Sequence, residues 1–104
     1  MQKRTKALAI PREVKERVNA RDRGLCVICH RAGIPNAHII SRAQGGLGIE
    51  QNLVTLCPDC HRLYDQSVQR EYLRREIFDY MRRKYPDWDD FRLTYQKSRR
   101  KLWH

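Results

Sequence analysis

Cys57-Pro58-Asp59-Cys60-His61-Arg62-Leu63-Tyr64-Asp65 is the stretch that decides how this chain folds. It closes a cysteine pair opened much earlier at Cys26 and Cys29, and directly behind the last thiol it presents a histidine and, four residues on, an aspartate. A fold-making site and a reactive site therefore share one short segment. The remaining sequence is read as delivering partners to those two sites.

The 104 residues are expected to form one domain, 1–104, too small and too charged to bury a generous core unaided. The four cysteines come as two Cys-x-x-Cys pairs rather than as the scattered set of a disulfide framework. With 27 residues (30–56) between them, the pairs offer four soft ligands for a tetrahedral structural Zn²⁺ at Cys26, Cys29, Cys57 and Cys60. Four protein ligands leave no position open for water, so this ion is expected to hold the fold and not to do chemistry. Such binding contributes on the order of 10 kcal/mol to folding.

Charge points to a polyanionic partner: 22 Lys and Arg stand against 12 Asp and Glu, a net +10. The excess is +5 over residues 1–25, zero over 26–67 and +5 over 68–104, which sets a neutral cysteine-histidine core between a basic N-terminal arm and helix and basic C-terminal helices. Solvated helix faces are the plainer explanation of such flanks. No stretch joins a basic face to a broad apolar one, so a membrane partner is not expected. No apolar run follows Met1-Gln2-Lys3-Arg4-Thr5-Lys6, so neither a leader nor a span is expected, and the cytoplasm is the expected location.

Helical spacing begins at Pro11, suited to a first helical position, and runs to Gly24 as a left-handed stop, with Val14, Val18, Ala20 and Leu25 as a narrow apolar stripe. Ala37 to Ser41 and Asn52 to Leu56 read as the two strands of a hairpin, joined through the glycine-rich Gln44-Gly45-Gly46-Leu47-Gly48. Pro58 opens the helix that carries Cys60, His61 and Asp65, and Ser67 either caps a second helix or lies within a continuous one. From Val68 to Tyr85, Leu73, Ile77, Tyr80, Met81 and Tyr85 recur at helical steps, with Glu71–Arg75 and Asp79–Arg83 as surface pairs, and Pro86 ends the run. Asp87 starts a last helix that would dock through Trp88, Phe91, Tyr95 and Leu102.

The remaining polar set is Ala37-His38-Ile39-Ile40-Ser41-Arg42-Ala43-Gln44-Gly45-Gly46, then Asn52-Leu53-Val54-Thr55-Leu56 leading into Cys57-Pro58-Asp59-Cys60-His61. This pattern resembles the HNH endonucleases of the type with a Cys-x-x-Cys pair on either side of the motif, common in phages and mobile elements. The resemblance covers roughly residues 24–67. It implies an α+β, ββα-metal (His-Me finger) core and a metal-dependent endonuclease acting on DNA. Carried over, His38 would be the general base, Asn52 would hold the loop and orient the histidine through its amide, and His61 would bind a catalytic divalent ion, Mg²⁺ or else Mn²⁺, Ni²⁺ or Zn²⁺.

The residue types suit that chemistry. Phosphodiester hydrolysis needs a base that works near neutral pH, which imidazole supplies, and a cation for the charge that develops. Arg42 could hold a neighbouring phosphate bidentately. Many family members carry an aspartate just before the base as a second ligand, and here the residue is Ala37. Asp65, one helical turn beyond His61, is the candidate replacement. Taken without the resemblance, Asp65 could be solvated or paired with Arg62, Asn52 could cap a turn, and His38 could sit satisfied in a core; His30 and His104 read as surface residues. Three readings stay open: DNA cleavage, with a phage terminase or portal as the partner that targets it inside a phage-infected or prophage-carrying bacterium; an inactive zinc-stabilised nucleic-acid-binding module; and a purely structural adaptor within a larger assembly, which would neither bind DNA tightly nor cut it.

Overall fold

The computed structural model describes residues 8–95. Three α-helices and a two-stranded antiparallel sheet follow in the order α1 (Arg12–Asp22), β1 (Ile34–His38), β2 (Leu53–Leu56), α2 (Pro58–Gln66) and α3 (Arg70–Lys84), with 3₁₀ turns at Arg42–Gln44, Glu50–Asn52 and Asp90–Leu93. The architecture is small α+β, a hairpin followed at once by a helix, as a ββα-metal fold requires. Among the described residues no helix is long and apolar enough to cross a membrane.

Pro11 caps α1 instead of entering it: its extended backbone places its carbonyl where Val14 N and Lys15 N donate to it at 3.1 and 3.2 Å. The stop is shared between Arg23 (φ 59°) and Gly24 (φ 68°), with Gly24 N donating to Asn19 O at 3.0 Å. Because the helix ends at Asp22, Leu25 leaves its face. Only Val14 and Val18 of the expected stripe are buried, against Leu53, while Ala20 and Leu25 are exposed.

β1 lies three residues earlier than the spacing predicts, at 34–38 and not 37–41. It pairs Ile34 with Leu56, Ala37 with Val54 and His38 with Leu53, with a bulge between Ile34 and Ala37 where Pro35 has no N–H to give the ladder. Ile39 N still reaches Asn52 O at 2.8 Å. The chain then turns off at Ser41, whose Oγ accepts from Gln44 N and caps the first 3₁₀ turn. All four residues of β2 are buried, since α1 covers Leu53 while Val54 and Leu56 join Tyr64, Leu73, Ile77 and Met81 in the larger core.

Ser67 ends α2, and its hydroxyl accepts from Gln69 N at 3.0 Å, so α2 and α3 are separate helices. On α3 the buried stripe is Leu73, Ile77 and Met81, with Tyr80 and Tyr85 half-buried. Its carboxylates pair three residues apart, Glu71 with Arg74 and Asp79 with Arg82, and not with Arg75 and Arg83 as the spacing predicts. Asp87 starts no α-helix. A single 3₁₀ turn, capped by Asp89, sends Trp88 and Leu93 into the core and leaves Phe91 exposed. Leu102 lies outside the described residues. The returning segment bonds to the glycine loop, Leu47 N to Leu93 O and Tyr95 N to Gly45 O, both at 2.7 Å.

Candidate active site and zinc centre

The four cysteine sulfurs converge: all lie within 4.8 Å of one another, and Cys29 Sγ and Cys57 Sγ are 3.5 Å apart. A zinc tetrahedron with Zn–S bonds near 2.3 Å puts its sulfurs roughly 3.8 Å apart, so the set fits the ion. Each pair is also a turn whose own backbone serves a sulfur. Cys29 N donates to Cys26 Sγ at 3.5 Å, and Cys60 N to Cys57 Sγ at 3.4 Å, which makes Cys57 the N-cap of α2. The Arg31 guanidinium donates to Cys29 Sγ at 3.5 Å and pulls that thiol down to about 6. Burial, with the neighbouring thiols, pushes the Cys60 thiol up. Cys26, Cys29, Cys57 and Cys60 could thus hold a zinc ion that ties the hairpin to the start of α2.

At the other end of the hairpin stand His38, Asn52 and Arg42, while His61 follows Cys60 on α2. His38 ends β1 half-buried, with Nε2 3.3 Å from the Leu8 carbonyl. A carbonyl can only accept, so the nitrogen that faces it carries the proton and Nδ1 keeps its lone pair. Burial lowers the His38 pKa below its ordinary 6.5; the Leu8 bond opposes this, and the charges of Arg42 and His61 add to it. The ring is therefore neutral at neutral pH, with Arg42 and His61 within electrostatic reach.

Asn52 is fully buried, and its amide meets backbone rather than the histidine. Oδ1 accepts from Ile40 N at 2.8 Å, and Nδ2 donates to Ile40 O at 3.1 Å and Leu47 O at 2.8 Å. It pins the loop that follows His38, so the histidine's orientation comes from Leu8 and the strand. Gly46 lies beneath the same residue: a Cβ there would stand 1.7 Å from Ile40 O. Asn52→Ala would leave one buried N–H and two carbonyls without partners, at about 1–3 kcal/mol for each buried group left unsatisfied. A fall of at least about 3 kcal/mol in urea-unfolding free energy is expected; a value within error of wild type would show the loop holds itself.

His61 and Asp65 share one face of α2, with Nε2 3.3 Å from Oδ2. Arg62 pairs with Asp59 at 2.8 Å and not with Asp65. Ala37, where a further ligand would have stood, is completely buried in the apolar core. Among the described residues only the cysteine set gathers three or more ligating groups. His30 is exposed, and His104 lies outside the described residues.

A zinc-type cysteine set thus brackets a hairpin and a helix that each carry a histidine, the two within electrostatic reach of one another. Residues 26–66 match the HNH endonuclease family model. No curated protein matches the chain. The matched stretch ends where α2 ends, so α1, α3 and the returning 3₁₀ segment lie outside it. The match points to a nuclease-type function with DNA as its substrate.

Two contributors escape sequence reasoning. The Leu8 carbonyl lies far outside the HNH core and, being backbone, has no residue signature. Tyr64 donates its hydroxyl to Ile39 O at 2.6 Å, fixing α2 against the end of β1 and hence His61 relative to His38. Its signal was the four-residue step from Cys60, which puts both on the buried face of α2.

Proposed function

We propose that the chain is a metal-dependent HNH endonuclease that hydrolyses DNA phosphodiester bonds. The observation that carries this reading is a neutral, fixed imidazole at the end of β1, within electrostatic reach of the His61–Asp65 pair. His38 takes a proton from the attacking water at Nδ1. Asn52 keeps the loop after His38 from collapsing into that position. His61 and Asp65 hold the catalytic ion, Mg²⁺ or a substitute such as Mn²⁺ or Ni²⁺. Two neighbouring ligands of an octahedral ion at 2.0–2.1 Å lie about 3 Å apart, close to the 3.3 Å of this pair, and Mg²⁺ commonly takes only one or two protein ligands beside water and phosphate. The ion, when bound, stabilises the charge on the phosphoryl and leaving oxygens. Arg42, exposed and next to the base, holds a neighbouring phosphate. Targeting would fall to a partner, for which the resemblance offers a phage terminase or portal protein.

The rival reading is a zinc-held nucleic-acid-binding module without activity, favoured by the buried Ala37 in place of a ligand. Plasmid nicking with Mg²⁺ or Mn²⁺ separates the two. Wild type is expected to cut and His38→Ala to cut at least about a hundredfold more slowly, the lower end of what a positioned base contributes. Binding without cutting in every metal establishes the module.

The pH profile carries a second expectation. Only neutral His38 accepts a proton, and its pKa is lowered, so single-turnover cleavage should fall with acidification through a midpoint below 6.5. An acid limb centred above that value would assign the base elsewhere.

A further inference from the structure

We infer that a second phosphate-binding site for duplex DNA lies at the zinc end of the fold, in an open concavity of about 320 Å³ between the C-terminal ends of α1 and α3 and the first cysteine turn. It shares no residue with the His38–His61 site. The inference rests on the reading of DNA as the ligand.

Its rim is cationic: Arg23 from the α1 stop and Arg83 and Lys84 from the last turn of α3, with the His30 ring of the cysteine turn beside them. Most arginines of the described chain are engaged with carboxylates or carbonyls, among them Arg12, Arg17, Arg31, Arg62, Arg70, Arg74 and Arg82. The side chains of Arg23, His30 and Arg83 have no hydrogen-bond or ion-pair partner among the described residues. Arg83 is free because Asp79 goes to Arg82. Lys84 meets only the Tyr80 ring, 5.5 Å from its centroid. The one carboxylate in the lining, Asp22, is already matched by Arg21. Cys26 also lines the concavity, and zinc on four thiolates carries a net charge of −2 that Arg31 partly offsets, so the three cations Arg23, Arg83 and Lys84 leave the rim net positive, which favours an anion.

Backbone geometry adds rigidity. Arg23 and His30 are the two non-glycine residues with positive φ among the described residues, at 59° and 67°, and both line this concavity. A conformation that side chains rarely adopt is held here by the helix stop and by the cysteine turn. Preset cations bind a phosphate with less ordering cost than mobile ones. Duplex DNA presents one phosphate per about 1.7 Å of axis, so a backbone engaged at His38 can be met again farther along. The two contacts would fix the duplex across the HNH core instead of at one point.

Binding of a labelled duplex is measured over a salt series without added divalent ion, so the result does not depend on whether the chain cuts. Arg23→Glu and Arg83→Ala are compared with Lys15→Glu, which changes an exposed cation of α1 outside the concavity. Losing one phosphate contact lowers the salt slope by about 0.9, an affinity loss of about eightfold at 0.1 M salt relative to 1 M. Arg23→Glu and Arg83→Ala should each show that loss with zinc content unchanged, and Lys15→Glu should show less. Equal losses at all three positions, or none at Arg23 and Arg83, overturn the site. So does weakened binding of a poly-glutamate peptide with DNA binding unmoved, which would assign the concavity to an acidic protein. Absence of cleavage by wild type bears on the endonuclease reading alone.

Discussion

Cys57→Ser is expected to leave the chain without a cooperative fold, at zinc concentrations that saturate the wild type. Cys57 holds more than one thing: its sulfur is 3.5 Å from Cys29 Sγ, it caps α2 through Cys60 N, and its side chain is buried in the larger core. Replacing a thiolate by a hydroxyl removes one of four soft ligands, which forfeits much of a binding free energy on the order of 10 kcal/mol. A small domain has only about 5–15 kcal/mol in total. The hairpin and α2 meet at this point, so once the cysteines separate the Tyr64–Ile39 hydrogen bond and a small apolar cluster are left to hold α2 on the hairpin. Circular dichroism, bound-zinc measurement and thermal melting check the result, and chelation of the wild type should reproduce it. A cooperative, zinc-free Cys57→Ser protein melting near wild type would mean the apolar core suffices alone.

The cysteine spacing made the sulfur cluster legible before any coordinates, because two turns that each present two thiols can converge in few ways. Pro58 likewise announced α2, and the order of His38, Asn52 and His61 announced the hairpin and helix that carry them. Placement was harder. β1 sits at 34–38 because Pro35 is absorbed in a bulge and Asn52 captures Ile40, whereas the β-branched run alone favours 37–41. Asn52 looked like an orienter of His38; its three bonds to loop backbone depend on a glycine path that spacing cannot trace. No α-helix starts at Asp87, because Trp88 reaches Gln51 O at 2.7 Å and Leu93 is drawn into the core, so packing overrode a plausible start there. Arg21 and Asp22 were the largest omission. On a basic, exposed helix they read as two more surface charges.

They are instead the polar centre of the fold, and Asp22→Ala is expected to cost about 3–5 kcal/mol, the range for breaking one partner of a buried pair. Asp22 accepts two bonds from Arg21, at 2.7 and 3.0 Å, one from Thr55 N at 2.9 Å, and one from the Tyr80 hydroxyl. Its side chain is fully buried and that of Arg21 is 11% exposed, so removing the carboxylate strands a guanidinium away from water. Arg21 meanwhile donates to Leu53 O at 2.7 Å, Glu50 O at 2.9 Å and the Tyr85 hydroxyl at 3.1 Å. The carbonyls it holds flank Asn52, so the pair connects α1 and α3 to the loop behind His38. Burial alone would push the Asp22 carboxyl up, but Arg21, Tyr80 and the Thr55 amide outweigh it and hold it below its usual 3.8. A depressed carboxyl contributes stability that is present above the unfolded pKa and lost as pH falls through the folded one. Urea unfolding of the zinc-loaded protein should therefore show the largest gap between wild type and Asp22→Ala above about pH 5, narrowing in acid. Replacing both charges together, as Arg21→Met with Asp22→Leu, should recover only part of the loss: no charge is then left unpaired, but Thr55 N, Leu53 O and Glu50 O lose their partners. A single-variant loss under about 1 kcal/mol would mean water reaches the pair, with each charge solvated on its own.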